Sequence, residues 1–110
     1  MRAQGRDNYK QAQLCSQVEQ IASLALGSSR DPRINQLMVH SVEASVDGAR
    51  LTVNVMPGDT ESLESLESLM DALNGARPWL RRQIAEEIVR KRTPDIRFQV
   101  VLGQELESDE

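Results

Sequence analysis

The sequence predicts an α+β domain in which a three-stranded sheet packs against helices, in the order helix, strand, strand, helix, helix, strand. Three observations carry that expectation. Apolar residues recur at steps of three and four from Leu14 to Ala25, the mark of a helix with one buried face. Two alternating runs flank Asp47-Gly48, a strong hairpin turn. Finally, Asn74-Gly75-Ala76-Arg77-Pro78 separates an acidic helical run from a basic one, and a third alternating run follows.

A chain of 110 residues with no repeat longer than a triplet is one domain. At that size it buries roughly 60–70% of its unfolded-state surface, enough for a single sheet-and-helix core. Tyr9, Trp79 and Phe98 are its only aromatics. The core is therefore built from Leu, Ile, Val, Ala and Met, and an aromatic platform for stacking several bases is disfavoured.

Residues 1–8 are polar and read as a flexible N-terminus. From Tyr9 onward Leu14, Val18, Ile21, Ala22 and Ala25 form the helical stripe, which Gly27-Ser28-Ser29 ends. Cys15 adjoins the stripe and reads as a small buried apolar residue. A catalytic thiolate would need a neighbouring base, and the only histidine, His40, is not placed beside it by the sequence. Asp31-Pro32-Arg33 is a stiff turn.

Leu37 to Val46 is β-rich, with Val42, Ala44 and Val46 in phase and His40 in phase with Met38 and Val42. Leu51, Val53 and Val55 then alternate with Arg50, Thr52 and Asn54. His40 reads as a packed or surface residue, since no second metal ligand sits at recognisable spacing. Met56-Pro57-Gly58 closes the hairpin and Asp59 or Thr60 caps the next helix. There Glu-Ser-Leu occurs three times from Glu61 to Leu69, yet Leu63, Leu66, Leu69, Met70 and Leu73 share one arc of a helical wheel.

Gly75 suits the left-handed residue that ends this helix, and Pro78 the first position of the next. A kinked helix pair is expected, the second member carrying Leu80, Ile84 and Ile88 in register. Thr93-Pro94 ends it, and Ile96, Phe98, Val100 and Leu102 alternate as the third strand. Residues 103–110 form an acidic tail, expected to be disordered.

The formal charge is −4, but Glu105, Glu107, Asp109 and Glu110 lie in that tail, and without them acids and bases balance at thirteen each. Local fields, not the total, decide where an anion binds. Before the break stand Asp59, Glu61, Glu64, Glu67 and Asp71; after it come Arg77, Arg81, Arg82, Arg90, Lys91, Arg92 and Arg97. Glu86 and Glu87 precede Arg90 and Lys91 by four residues, and Arg90, Lys91 and Arg92 suit a helix C-terminus, so those three have a structural explanation. Arg77, Arg81 and Arg82 sit near the positive end of their helix, where cations are disfavoured by about a few tenths of a kcal/mol each. A phosphate bound there would turn the penalty into attraction.

The lone cysteine forms no internal disulfide, and nothing resembles a signal peptide or a bilayer-spanning run, which together predict a soluble cytoplasmic protein. One His, one Cys and no Gly-rich phosphate loop leave an enzyme without a recognisable catalytic set.

Several stretches resemble one family, in order along most of the chain. They are Asp31-Pro32-Arg33, the hairpin from Val39 to Asp47 running into Ala49-Arg50-Leu51-Thr52-Val53, Ala72-Leu73 through Trp79-Leu80-Arg81-Arg82-Gln83-Ile84, and Arg92 to Phe98. Together they are similar to ribosome-binding factor A. That resemblance implies a type II KH-like domain over residues 9–102, association with the small ribosomal subunit during its maturation, and no catalytic activity. The family lacks the Gly-x-x-Gly loop of ordinary KH domains and carries an Ala-x-Gly kink between two helices. Here the kink residues are Gly75, Ala76 and Pro78, with Pro78 in place of the family glycine. Val46 stands where the family usually has proline, and Val101 where it has aspartate.

The expected function is therefore a non-catalytic small (30S) subunit assembly factor that binds immature 16S rRNA and supports its processing. Arg77, Arg81 and Arg82 would contact phosphates, with Arg90, Lys91, Arg92 and Arg33 as further candidates. The expected protein is a monomer without metal, cofactor or membrane contact, and ribosomal proteins are a further class of partner. The alternative is an adaptor that contacts a basic partner through the acidic helix and tail.

Overall fold

Strand alternation on either side of the Asp47-Gly48 turn builds the hairpin that centres the fold. In the computed structural model, residues 2–58, 66–88 and 93–102 are described, with side chains from Lys10 onward. Strands β1 (Leu37–Ala44) and β2 (Arg50–Pro57) pair antiparallel. Gly48 turns the chain at φ 72°, a left-handed conformation that glycine adopts without strain. Asp47 braces the turn, its Oδ1 accepting from the Ser45 hydroxyl at 2.7 Å and the Ala49 N–H at 3.0 Å. Those two bonds hold its carboxyl below the usual range.

Strand β3 (Asp95–Val100) pairs parallel with β2, so the sheet order is β1-β2-β3. A parallel pair needs a long crossover, and helix α3 (Leu66–Glu87) supplies it. The register sets Leu51, Val53 and Val55 beside Ile96, Phe98 and Val100 on one face. Helix α1 (Arg2–Gly27) and α3 close that face with Leu14, Val18, Ala22 and Leu26 on one side and Leu69, Leu73, Leu80 and Ile84 on the other.

The element order agrees with the sequence reading except at the break and at Pro32–Asn35, where the expected turn is a short helix. At the break, one helix runs from Leu66 to Glu87 with Pro78 inside it, not a pair. Gly75 is not left-handed. Burial explains the continuity: Leu69, Leu73, Leu80 and Ile84 form a single stripe across the break, each essentially fully buried. Burying one such side chain is worth about 1.5–3 kcal/mol, so four together outweigh the ~3 kcal/mol of an internal proline and the ~1 kcal/mol of a glycine. Pro78 faces solvent, opposite the stripe, where its ring does not disturb packing.

Three further departures have local causes. A β-bulge between Val39 and Ser41 leaves His40 without a cross-strand partner. It changes the phase of β1, so that Leu37 and Val39 lie on the core side with Val42 and Ala44, and Met38 is 55% exposed. Val46 falls in the turn and is 99% exposed, outside the strand phase. Helix α1 starts ahead of Tyr9, at Arg2.

The Asp31-Pro32-Arg33 turn is a one-turn helix, α2 (Pro32–Asn35), with proline in its first turn and Asp31 as N-cap. Asp31 accepts from the Arg33 N–H at 2.9 Å and pairs with the Arg33 guanidinium at 2.8 Å. The Arg33 side chain, then its N–H, hold the Asp31 carboxyl below its usual range. A lowered carboxylate stabilises above its unfolded value, near 3.9, and the contribution is lost as pH falls through the folded value. Asp31→Ala should therefore cost about 1 kcal/mol at neutral pH in urea unfolding. Its difference from wild type should shrink below about pH 4.

Candidate nucleic-acid interface

Helical spacing places Arg77 and Arg81 one turn apart on the same side of α3. Parallel register places Arg50 opposite Asp95, and Thr52 opposite Arg97, on the sheet face turned away from the core. Where this end of the sheet meets α3, Arg50, Arg77, Pro78, Arg81, Asp95, Ile96 and Arg97 line a cleft of about 360 Å³. Four arginines face one aspartate, a formal local charge of +3 in a protein whose total is −4. A concave site of one sign focuses its field and draws counter-charge.

The arginines divide by what holds them. Arg81 donates from Nη2 to the Thr93 carbonyl at 3.0 Å and from Nε to the Pro94 carbonyl at 3.3 Å, tying α3 to the chain that enters β3. Its Nε lies 3.9 Å from the Asp95 carboxylate. Among the described residues, no hydrogen bond or ion pair engages the side chains of Arg50, Arg77, Arg82 or Arg97. Three of these four converge on the cleft with their donors uncommitted.

Of the residues singled out from sequence, Arg77 and Arg81 come together. Arg82, about 100° further round the helix, is exposed but does not line the cleft. Arg33 lies elsewhere: its guanidinium bonds Asp31 and the Ser68 hydroxyl and carbonyl, joining α2 to the start of α3. Ser68 is about 13 Å along the helix from Arg77, at 1.5 Å per residue. Arg90, Lys91 and Arg92 lie outside the described residues, as do the acidic run from Asp59 to Glu64 and the tail. At the break, Gly75 is exposed, Ala76 packs against the core and Pro78 forms part of the cleft wall.

Arg50 and Arg97 escaped the sequence reading as site residues. Strand alternation marked both as outward-facing, but it could not show that β3 pairs with β2 in the register that brings them together.

Cys15 lines a separate shallow depression with Glu19, Val42, Glu43 and Ala44. Burial first, then Glu43 and Glu19, push its thiol up. That is the opposite of what activates a nucleophilic thiol, in keeping with its reading as a small packed residue. Among the described residues no group of three or more His, Cys, Asp and Glu side chains could hold a metal ion, and no helix is long and apolar enough to cross a membrane.

Comparison with known proteins gives one answer. Residues 10–101 match the sequence model of ribosome-binding factor A. The chain is 34% identical over 89 residues to the ribosome-binding factor A of Rhodopirellula baltica, covering 79% of this chain and 62% of that one. The crystal structure of ribosome-binding factor A from Thermus thermophilus superposes with a TM-score of 0.69 at 27% identity, covering 82% of this chain and 94% of the other. A homology model of the Thermus thermophilus factor, fitted into a cryo-electron microscopy map of a 30S complex, gives 0.63 at 26% identity, covering 77% and 88%.

The chain spans 53% and 62% of the lengths of two curated relatives it matches. Its three-stranded sheet against helices is the KH-like fold of these structures. Sequence and fold agree from α1 through β3, and the chain belongs to the ribosome-binding factor A family.

Proposed function

We propose that this protein is a non-catalytic maturation factor of the small ribosomal subunit, which binds immature 16S rRNA and supports its processing. The observation that carries the reading is the arginine-lined cleft, whose uncommitted guanidiniums suit phosphate oxygens. Family membership supports it, as does the related factor fitted into a 30S complex. In this reading Arg77, Arg50 and Arg97 contact phosphates, Arg81 holds the entry to β3 in place, and Arg82 adds an outer contact. Arg90, Lys91 and Arg92, outside the described residues, add positive charge in the sequence that follows α3.

The mechanism is steric and electrostatic. Phosphate contacts fix the position and orientation of the domain without reading sequence, and occupancy holds an rRNA conformation until maturation releases the protein. The protein acts in the cytoplasm as a monomer without cofactor. The adaptor alternative rests mainly on acidic residues outside the described structure, and no observation in the described part favours it.

Titration against small-subunit rRNA over a range of salt concentrations tests the reading. Three phosphate contacts give a log–log slope of about −2 to −3, from about −0.7 to −0.9 per contact. Salt-insensitive binding, or none at low salt, would count against it.

A further inference from the structure

We propose that Asp95 is the ribose-reading residue of the cleft, accepting a hydrogen bond from a 2′-hydroxyl so that the site selects RNA over DNA. This deepens the rRNA reading and rests on it. The arginines cannot make that distinction, because the phosphate they would hold is the same in both polymers. Among the described residues that line the cleft, Asp95 is the one acid.

An acid among phosphate-binding arginines opposes the ligand and calls for a reason. Fold stability does not supply one. The Asp95 carboxylate is 75% exposed and stands 3.9 Å from Arg81, beyond hydrogen-bond length. Exposed ion pairs contribute little. Arg81 already has the Thr93 and Pro94 carbonyls as acceptors.

The position of Asp95 is nonetheless well fixed. Its N–H donates to the Ala49 carbonyl at 3.0 Å, and the two residues before it are held by Arg81. Arg50 lies opposite it in register and Arg97 two residues on, on the same face of the strand. A phosphate on these arginines thus brings its own sugar next to the Asp95 carboxylate, whose backbone is fixed. An ionised carboxylate is an acceptor only. On the sugar, the donor beside a phosphate is the 2′-hydroxyl, which RNA has and DNA lacks. At about 360 Å³ the cleft is at the small end of ligand sites, the size for a single nucleotide unit.

The test is fluorescence anisotropy of the full chain with a single-stranded RNA and its deoxyribose counterpart, uracil retained in both. Wild type is expected to bind the RNA more tightly by about tenfold or more, the worth of a hydrogen bond to a charged group. In Asp95→Ala the RNA-to-DNA ratio falls toward one, even as loss of the negative charge tightens binding of both. The ratio cancels the charge effect, because both strands carry the same phosphates. An unchanged ratio in Asp95→Ala overturns the proposal while leaving the rRNA reading intact, and so does a wild-type RNA-to-DNA ratio near one. Failure of wild type to bind either strand overturns both.

Discussion

Reversing three charges together, Arg50→Glu, Arg77→Glu and Arg97→Glu, lowers affinity for small-subunit rRNA by at least about 100-fold, while the domain stays folded. The magnitude follows from the three guanidinium–phosphate bonds that the reversal removes. A hydrogen bond to a charged partner is worth about 1.5–3 kcal/mol. Even about 1 kcal/mol for each, after solvent screening, sums to a factor of about 100. Repulsion from the new carboxylates adds to that.

The fold survives because none of the three side chains makes a hydrogen bond or ion pair among the described residues, and such surface changes usually stay within about 0.5 kcal/mol each. Arg82→Glu, outside the cleft, should weaken binding by less than about fivefold, the effect of one peripheral charge. Equilibrium titration at fixed salt, with circular dichroism as the folding control, checks both. Equal losses from Arg82→Glu and from the triple variant would mean that overall charge, not the cleft, governs binding.

Leu80→Ala should destabilise the domain by about 2–5 kcal/mol, the range for truncating a buried leucine. Pro78→Ala, two residues earlier, should stabilise it by about 2–2.5 kcal/mol, less than the ~3 kcal/mol by which proline trails alanine inside a helix. Leu80 is fully buried in the core stripe of α3. Pro78 is exposed and interior to the same helix, where it withholds the N–H that would bond the Asn74 carbonyl. Alanine restores that bond and removes the clash, offset by about 0.4–1 kcal/mol of chain stiffness that proline lends through the unfolded state. Urea unfolding measures both changes. If Pro78→Ala destabilises, proline is acting as the first residue of a second helix, and the continuous α3 is wrong.

These two substitutions also mark where the sequence could be read and where it could not. Leu69, Leu73, Leu80 and Ile84 were legible as core from their spacing, and so were the hairpin and the third strand. Local chemistry at Asn74-Gly75-Ala76-Arg77-Pro78 spelled a helix end and a helix start, and that much is valid for an isolated peptide. Tertiary burial on both sides of the break prevails, and its size cannot be read from five residues. The bulge at His40 was hidden for a related reason: one extra residue shifts the phase of a strand without any distinctive composition.

The site was half legible. Arg77 and Arg81 stood out because they oppose the helix dipole, a conflict visible in one dimension. Arg50 and Arg97 are ordinary outward strand residues, and become site residues only when β3 lies parallel to β2 with Thr52 beside Arg97. Arg33 differs in what holds it. It looked available, but Asp31 and Ser68 engage its guanidinium.

Whether the cleft is the ribosomal contact is tested most directly by co-sedimentation of the purified protein with immature small ribosomal subunits, comparing wild type with the triple variant at Arg50, Arg77 and Arg97. Wild type should travel with the immature subunit, and the folded triple variant should stay at the top of the gradient. A triple variant that co-sediments as well as wild type would contradict the cleft as the point of contact.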